Sequence, residues 1–177
     1  MGFLDSFGSI ICHQIPERSL FFAGSQIFVC ARDVGIYLGV LAGFILLYLL
    51  KELDGNDLDV KYVIMLIIPV VFDGTTQLLG WESSNILRLF SGGMFGVAMA
   101  CLLVSSYNMM QDKEKKVIPS INTVIGGIVV GMLMVLIKYL PQSLYSFWLV
   151  GIGTFISIVL IIAGLGALGI LMYKRYK

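Results

Sequence analysis

The chain's only histidine stands beside a cysteine, Cys12-His13, and a second cysteine follows in Cys30-Ala31-Arg32-Asp33. Two thiols, an imidazole and a carboxylate are all metal-ligand types. Cys-x-x-Asp has the form of half a zinc knuckle with an oxygen donor in place of the second thiolate. A zinc or similar divalent ion on Cys12, His13, Cys30 and Asp33 is therefore one expectation. The adjacent Cys12 and His13 can both ligate only if the backbone turns there, which the following Gln14-Ile15-Pro16 permits. Two other readings stand beside it. Cys12 and Cys30 can close a disulfide on an oxidising face, leaving Asp33 to stabilise the start of a helix. Alternatively, both remain free thiols near an ordinary polar histidine. The third cysteine, Cys101, lies among Met, Ala and Leu and reads as packing.

A second set of reactive side chains lies inside apolar runs. Asp73 falls four residues after Pro69 and four before Gln77, so Asp73 and Gln77 share one helical face, and Pro69 predicts a kink just before them. A carboxylate near the middle of a membrane helix costs about 3 kcal/mol on the most lenient scale, so it should face the protein interior with a partner. Asn85, Arg88 and Gly92 likewise share a face of the next helix. Arg32, Asp73, Gln77, Asn85 and Arg88 are thus expected to line a pocket, and Arg18 can join them from the N-terminal segment. Guanidinium groups in that number suit a small anionic ligand, such as a phosphate or carboxylate head group. The competing expectation is a buried Asp73–Arg88 pair, with Ser84 capping the helix that carries Arg88.

The elements that must hold these residues are membrane helices. With 58% hydrophobic and 13% charged residues and a mean hydropathy of +0.94, the 177-residue chain has too little polar surface for a water-soluble globule. Apolar runs near the roughly 20 residues needed to cross a bilayer recur along it. Spans are predicted at about 34–50, 62–81, 86–107, 117–140 and 145–173, all in a single all-α polytopic domain covering residues 1–177. Residues 1–33 form its N-terminal cap. Phe3, Phe7, Ile10 and Ile11 make one apolar stripe of a short interfacial helix, and the stretch from Leu20 to Cys30 is too short to span, so it should be interfacial or re-entrant. Gly35, Gly39 and Gly43, with Gly92 and Gly96, give GxxxG steps that predict close helix packing.

Lys and Arg counts across five spans place eight on one side (Lys51, Lys61, Lys113, Lys115, Lys116, Lys174, Arg175 and Lys177) and four on the other (Arg18, Arg32, Arg88 and Lys138). By the positive-inside rule the C-terminus is cytoplasmic and the cap lies outside a cell membrane. The N-terminus lacks the basic start and small-residue cleavage site of a removed signal peptide. A net charge of +1 and no basic stripe argue against a nucleic-acid partner, so membrane lipids are the expected surroundings.

"CHQIPERS", "CARDVGIYLG" and "DGTTQLLGWESSNILRLFSGG", in that order over about the first hundred residues, resemble the uncharacterised membrane proteins known as domain of unknown function 2085. The resemblance implies a ligand set in which that family usually carries another cysteine where Asp33 stands here. It also implies a basic residue near Glu82, which is acidic in this chain. A fainter likeness joins "DGTTQ" and the following polar, glycine-rich helix to VanZ-like proteins, implying a role with envelope lipids or amphiphiles.

The reading that unites these features is a binding or transport-type protein with a metal cluster over a polar pocket. A membrane enzyme is the alternative: a thiol-disulfide oxidoreductase on Cys12 and Cys30, or a metal-dependent hydrolase with Asp73 as base. No nucleophile elbow, P-loop, HExxH or dinucleotide fingerprint supports it. A purely structural or interaction role, resting on the glycine faces, is the third reading.

Overall fold

The computed structural model describes residues 3–50, 57–111, 117–118 and 121–176. The first part of the hydrophilic loop expected from Lys51 to Lys61, residues 51–56, and the lysines at 113, 115, 116 and 177 lie outside them. Helix α1 (Phe3–Ile11) leads through a turn, with Gln14 at φ 51, and a 3-10 turn at Pro16–Arg18 to strands β1 (Ser19–Phe22) and β2 (Ser25–Cys30). Then come α2 (Ala31–Leu49), β3 (Asp57–Leu58), α3 (Val60–Leu78), α4 (Asn85–Met110), β4 (Val117–Ile118), α5 (Ile121–Leu136) and α6 (Leu144–Tyr176). Five helices are long and apolar enough to cross a membrane, and they lie close to the predicted spans. The fourth starts later than expected: Val117–Ile118 pairs in parallel with Asp57–Leu58, and the helix begins at Ile121. Pro119 explains the offset, because a proline steers the residue before it away from helical geometry.

The stretch from Leu20 to Cys30, too short to span, folds with Ser19 as an antiparallel β-hairpin. Its two-residue loop, Ala23-Gly24, has φ of 50° and 76°, the positive values a tight primed turn requires. In β1, Leu20 and Phe22 are buried while Phe21 is exposed; in β2, Ile27, Phe28 and Val29 are all buried. This run is buried because α1 covers it: a Cβ at Gly8 would meet the Phe28 carbonyl, and Phe7 stacks edge-on against Phe155 of α6 at 5.3 Å. Of the expected stripe on α1, Phe7 packs and Ile10 stays 83% exposed.

At the centre, α2 packs along α4. A Cβ at Gly35 would lie 2.7 Å from the Leu89 carbonyl, and one at Gly39 would lie 2.7 Å from that of Gly93. From the other side, Gly92 presses on the Arg32 carbonyl and Gly96 on the Val40 amide. Such contact between backbones is the use of small residues in lipid, where dispersion rather than the hydrophobic effect holds helices together. This seam fixes the start of α2, and with it Arg32 and Asp33, against the first turns of α4.

Candidate functional site

The polar site forms where the hairpin, the N-terminal turns of α2 and α4, and the C-terminal half of α3 converge. Asn85 ties the cap to the bundle by donating to the Ser19 carbonyl at 3.1 Å. Ser19 is itself held from both sides: its hydroxyl donates to the Ile15 carbonyl at 2.9 Å and accepts from Gln26 Nε2 at 2.9 Å. Ser84 caps α4 as expected, accepting from the Leu87 amide at 3.3 Å. The cap of α2 is Cys30, not Asp33, which lies in the first turn, where the helix dipole favours a carboxylate.

The Cys30 thiol donates to Asp33 Oδ2 at 3.2 Å. Ligand atoms of Cys12, Cys30 and Asp33 lie within 4.8 Å of one another, and both cysteines are free thiols. Zinc bonds of about 2.0–2.3 Å put tetrahedral ligand atoms roughly 3.5–3.8 Å apart, so this triad is within a small side-chain adjustment of a coordination shell. His13 does not join the triad; it is exposed on the rim of the same cavity. Burial and the neighbouring Asp33 carboxylate push the Cys30 thiol up from 9.0 to about 12, so a bare Cys30 is protonated at neutral pH.

Behind the cluster sits Asp73, which is fully buried. Its partner is Arg32, not Arg88: Arg32 donates from Nε and from Nη2 to Asp73 Oδ2, each at 2.7 Å, and Ser91 Oγ adds a third bond at 3.3 Å. Arg88, 2% exposed, instead donates from Nη1 to Asn85 Oδ1 at 3.0 Å. Gln77 satisfies its neighbours with its carbonyl oxygen turned to the arginines, accepting from Arg32 Nη2, from Arg88 Nε at 3.3 Å and from Ser83 Oγ at 3.3 Å. The predicted Asp73–Gln77 face therefore exists, as does the Asn85–Arg88 pair, with α3 continuous through Pro69.

Three buried polar atoms have no protein partner among the described residues: Asp73 Oδ1, Arg88 Nη2 and Arg18 Nε. Leaving a charged donor so costs about 1–3 kcal/mol or more unless a ligand or water meets it. Both arginines line a cavity of about 180 Å³ whose wall also carries Cys12, Cys30, Asp33 and Gln77. Arg18 reaches Glu82 at only 3.5 Å, an exposed rim contact. Of the predicted ligand-binding set, Arg32, Gln77 and Arg88 line the cavity, while Asp73 and Asn85 support them from behind. Arg18, expected to join from the N-terminal segment, lines it as well. Its one signal was a third guanidinium on the same side of the membrane.

The geometry defines a polytopic helical membrane protein with a folded polar cap at one end of its bundle. Residues 12–102 match the family of predicted membrane proteins known as domain of unknown function 2085, and the chain belongs to that family. The matched segment contains every polar residue of the site. The chain is 43% identical over 110 residues to an uncharacterised protein of Methanocaldococcus jannaschii, covering 61% of this chain and 70% of that one. It is 40% identical over 93 residues to an uncharacterised protein of Methanothermobacter thermautotrophicus, covering 52% and 83% respectively. No solved structure matches. The likeness to VanZ-like proteins is not confirmed by these comparisons.

Proposed function

We propose that this is a binding or transport-type membrane protein. Its cap holds a zinc-like divalent ion on Cys12, Cys30 and Asp33, over an arginine-lined pocket for a small anionic ligand. The observation that carries the reading is the approach of those three ligand atoms to within 4.8 Å on the wall of a cavity also lined by Arg18, Arg32 and Arg88. Two thiols and a carboxylate form a donor set suited to zinc, and His13 on the rim is available for the fourth place. Metal uptake would displace the Cys30 proton, so affinity should rise with pH. The excess of Lys and Arg on the opposite end supports a cap that faces outward and a cytoplasmic C-terminus.

The metal content of the purified full chain, after loading with zinc and removal of excess, tests this reading. Wild type should retain about one zinc per chain and Cys30→Ser should lose it. No retained metal in the wild type would overturn the reading. The proximity of Cys12 and Cys30 also favours a disulfide reading, against which stands the raised Cys30 thiol, a poor nucleophile at neutral pH. Equal alkylation before and after reduction would reject the disulfide.

A further inference from the structure

We infer that the cavity below the thiol cluster is a phosphate-group site, in which Arg88 Nη2 and Arg18 Nε donate to oxygens of one phosphate. This deepens the proposed anionic pocket and needs no metal. Arg88 is the anchor. It is 98% buried by its 2% exposure, it lies one turn into α4, and two of its three nitrogens are fixed, Nη1 by Asn85 and Nε by Gln77. The remaining nitrogen, Nη2, is buried without a protein partner in a side chain that lines the cavity. Arg18, from the turn preceding the hairpin, lines the same cavity and carries a second buried and unpartnered donor, Nε.

Arg32 cannot serve in the same way, because its Nε and Nη2 are committed to Asp73. The charges make the choice of ligand sign. Asp73 neutralises Arg32, Glu82 meets Arg18 from the rim at 3.5 Å and Asp33 is turned to the Cys30 thiol, so Arg88 is the cation of the three with no ion pair among the described residues. Two guanidinium groups converging from different elements match a tetrahedral oxyanion, whose oxygens point in several directions. A phosphodiester of a phospholipid carries one negative charge and lies at the boundary depth where a span begins, as Arg88 does. Inorganic phosphate offers the same oxygens.

The test uses the full chain purified in detergent without added phospholipid and stripped of metal. Calorimetric titration with inorganic phosphate, and native mass measurement after incubation with phosphatidylglycerol, separate the two sources. Saturable binding in either arm is the expected result. Arg18→Gln, on the less buried arginine, should weaken it roughly tenfold or more, and Arg88→Gln should abolish it. Absence of binding in both arms overturns the inference, as does binding unchanged in Arg18→Gln or equal competition by acetate. Metal-free wild type and Cys30→Ser should both still bind phosphate. Their failure to bind while zinc-loaded wild type binds would assign the anion to the metal and overturn the arginine site. Phosphate binding without any zinc retention would instead sink the metal reading alone.

Discussion

The two ends of the bundle solve different problems. At the cap end a cavity of about 180 Å³ is walled by arginines, thiols, a carboxylate and an amide, and the buried polar side chains behind it are cross-linked by hydrogen bonds that leave Asp73 Oδ1, Arg88 Nη2 and Arg18 Nε without a protein partner. At the other end a larger one, about 490 Å³, opens between α2, α4 and α6 and is lined mainly by aliphatic side chains, with Tyr107 and Asn108 as its polar members. Burial follows the same division: 61% of the most apolar window of α4 is buried, against 11% for α6. The span that supports the site is wrapped by protein, whereas the last span mainly meets lipid. At the cap end, hydrogen bonds and an ion pair hold the cap, α2, α3 and α4 together around the cavity.

The strongest way to break that contrast is to unpair the centre of the polar end. Asp73→Leu leaves Arg32 without its carboxylate and should cost about 3–5 kcal/mol, read as a large fall in the thermal midpoint in detergent. Next comes the glycine seam. Gly39→Ala drives a methyl against the Gly93 carbonyl and should cost about 1–3 kcal/mol. Gly164→Ala on α6 meets nothing within 4 Å and should change stability by about 0.5 kcal/mol or less. Equal effects at the two glycines would erase the distinction between the wrapped and the lipid-facing spans.

A third measurement concerns pH. The native state keeps the Cys30 proton above pH 9.0, where the unfolded chain releases it, so this thiol's contribution to stability is complete below pH 9 and declines as pH rises toward 12. In metal-free protein at pH 8, Cys30 should alkylate more slowly than an ordinary thiol, because burial and the Asp33 carboxylate keep it protonated. Rapid labelling there would mean the site is open to water. The smallest effect is expected at the rim: Glu82→Gln removes the 3.5 Å contact to Arg18 and should cost about 0–1 kcal/mol.

Much of this plan is legible in the residues alone, for a physical reason. Lipid forces each span to be long and apolar, so five of them stand out, and a charge inside one, such as Asp73, demands a partner. Helical spacing then brings Gln77 beside Asp73 and Asn85 beside Arg88. What spacing cannot supply is the partner across elements: Arg32 is 41 residues from Asp73, and the alternative Arg88 was equally eligible by type. The hairpin is hidden because Leu20–Cys30 is apolar on both faces once α1 covers it, so strict alternation is lost. Its turn carried the one local signal, Ala23-Gly24. His13 shows the converse, since adjacency to Cys12 put it in the ligand set while the turn at Gln14 leaves it exposed on the rim.

The central claim, a thiol-carboxylate metal centre in the cap, is tested most directly by X-ray absorption at the zinc edge of the zinc-loaded full chain. Two sulfur neighbours at about 2.3 Å and oxygen or nitrogen neighbours at about 2.0–2.1 Å are predicted in the wild type, with no zinc retained by Cys30→Ser. A shell of oxygen and nitrogen alone, or no zinc retained by the wild type, would contradict it.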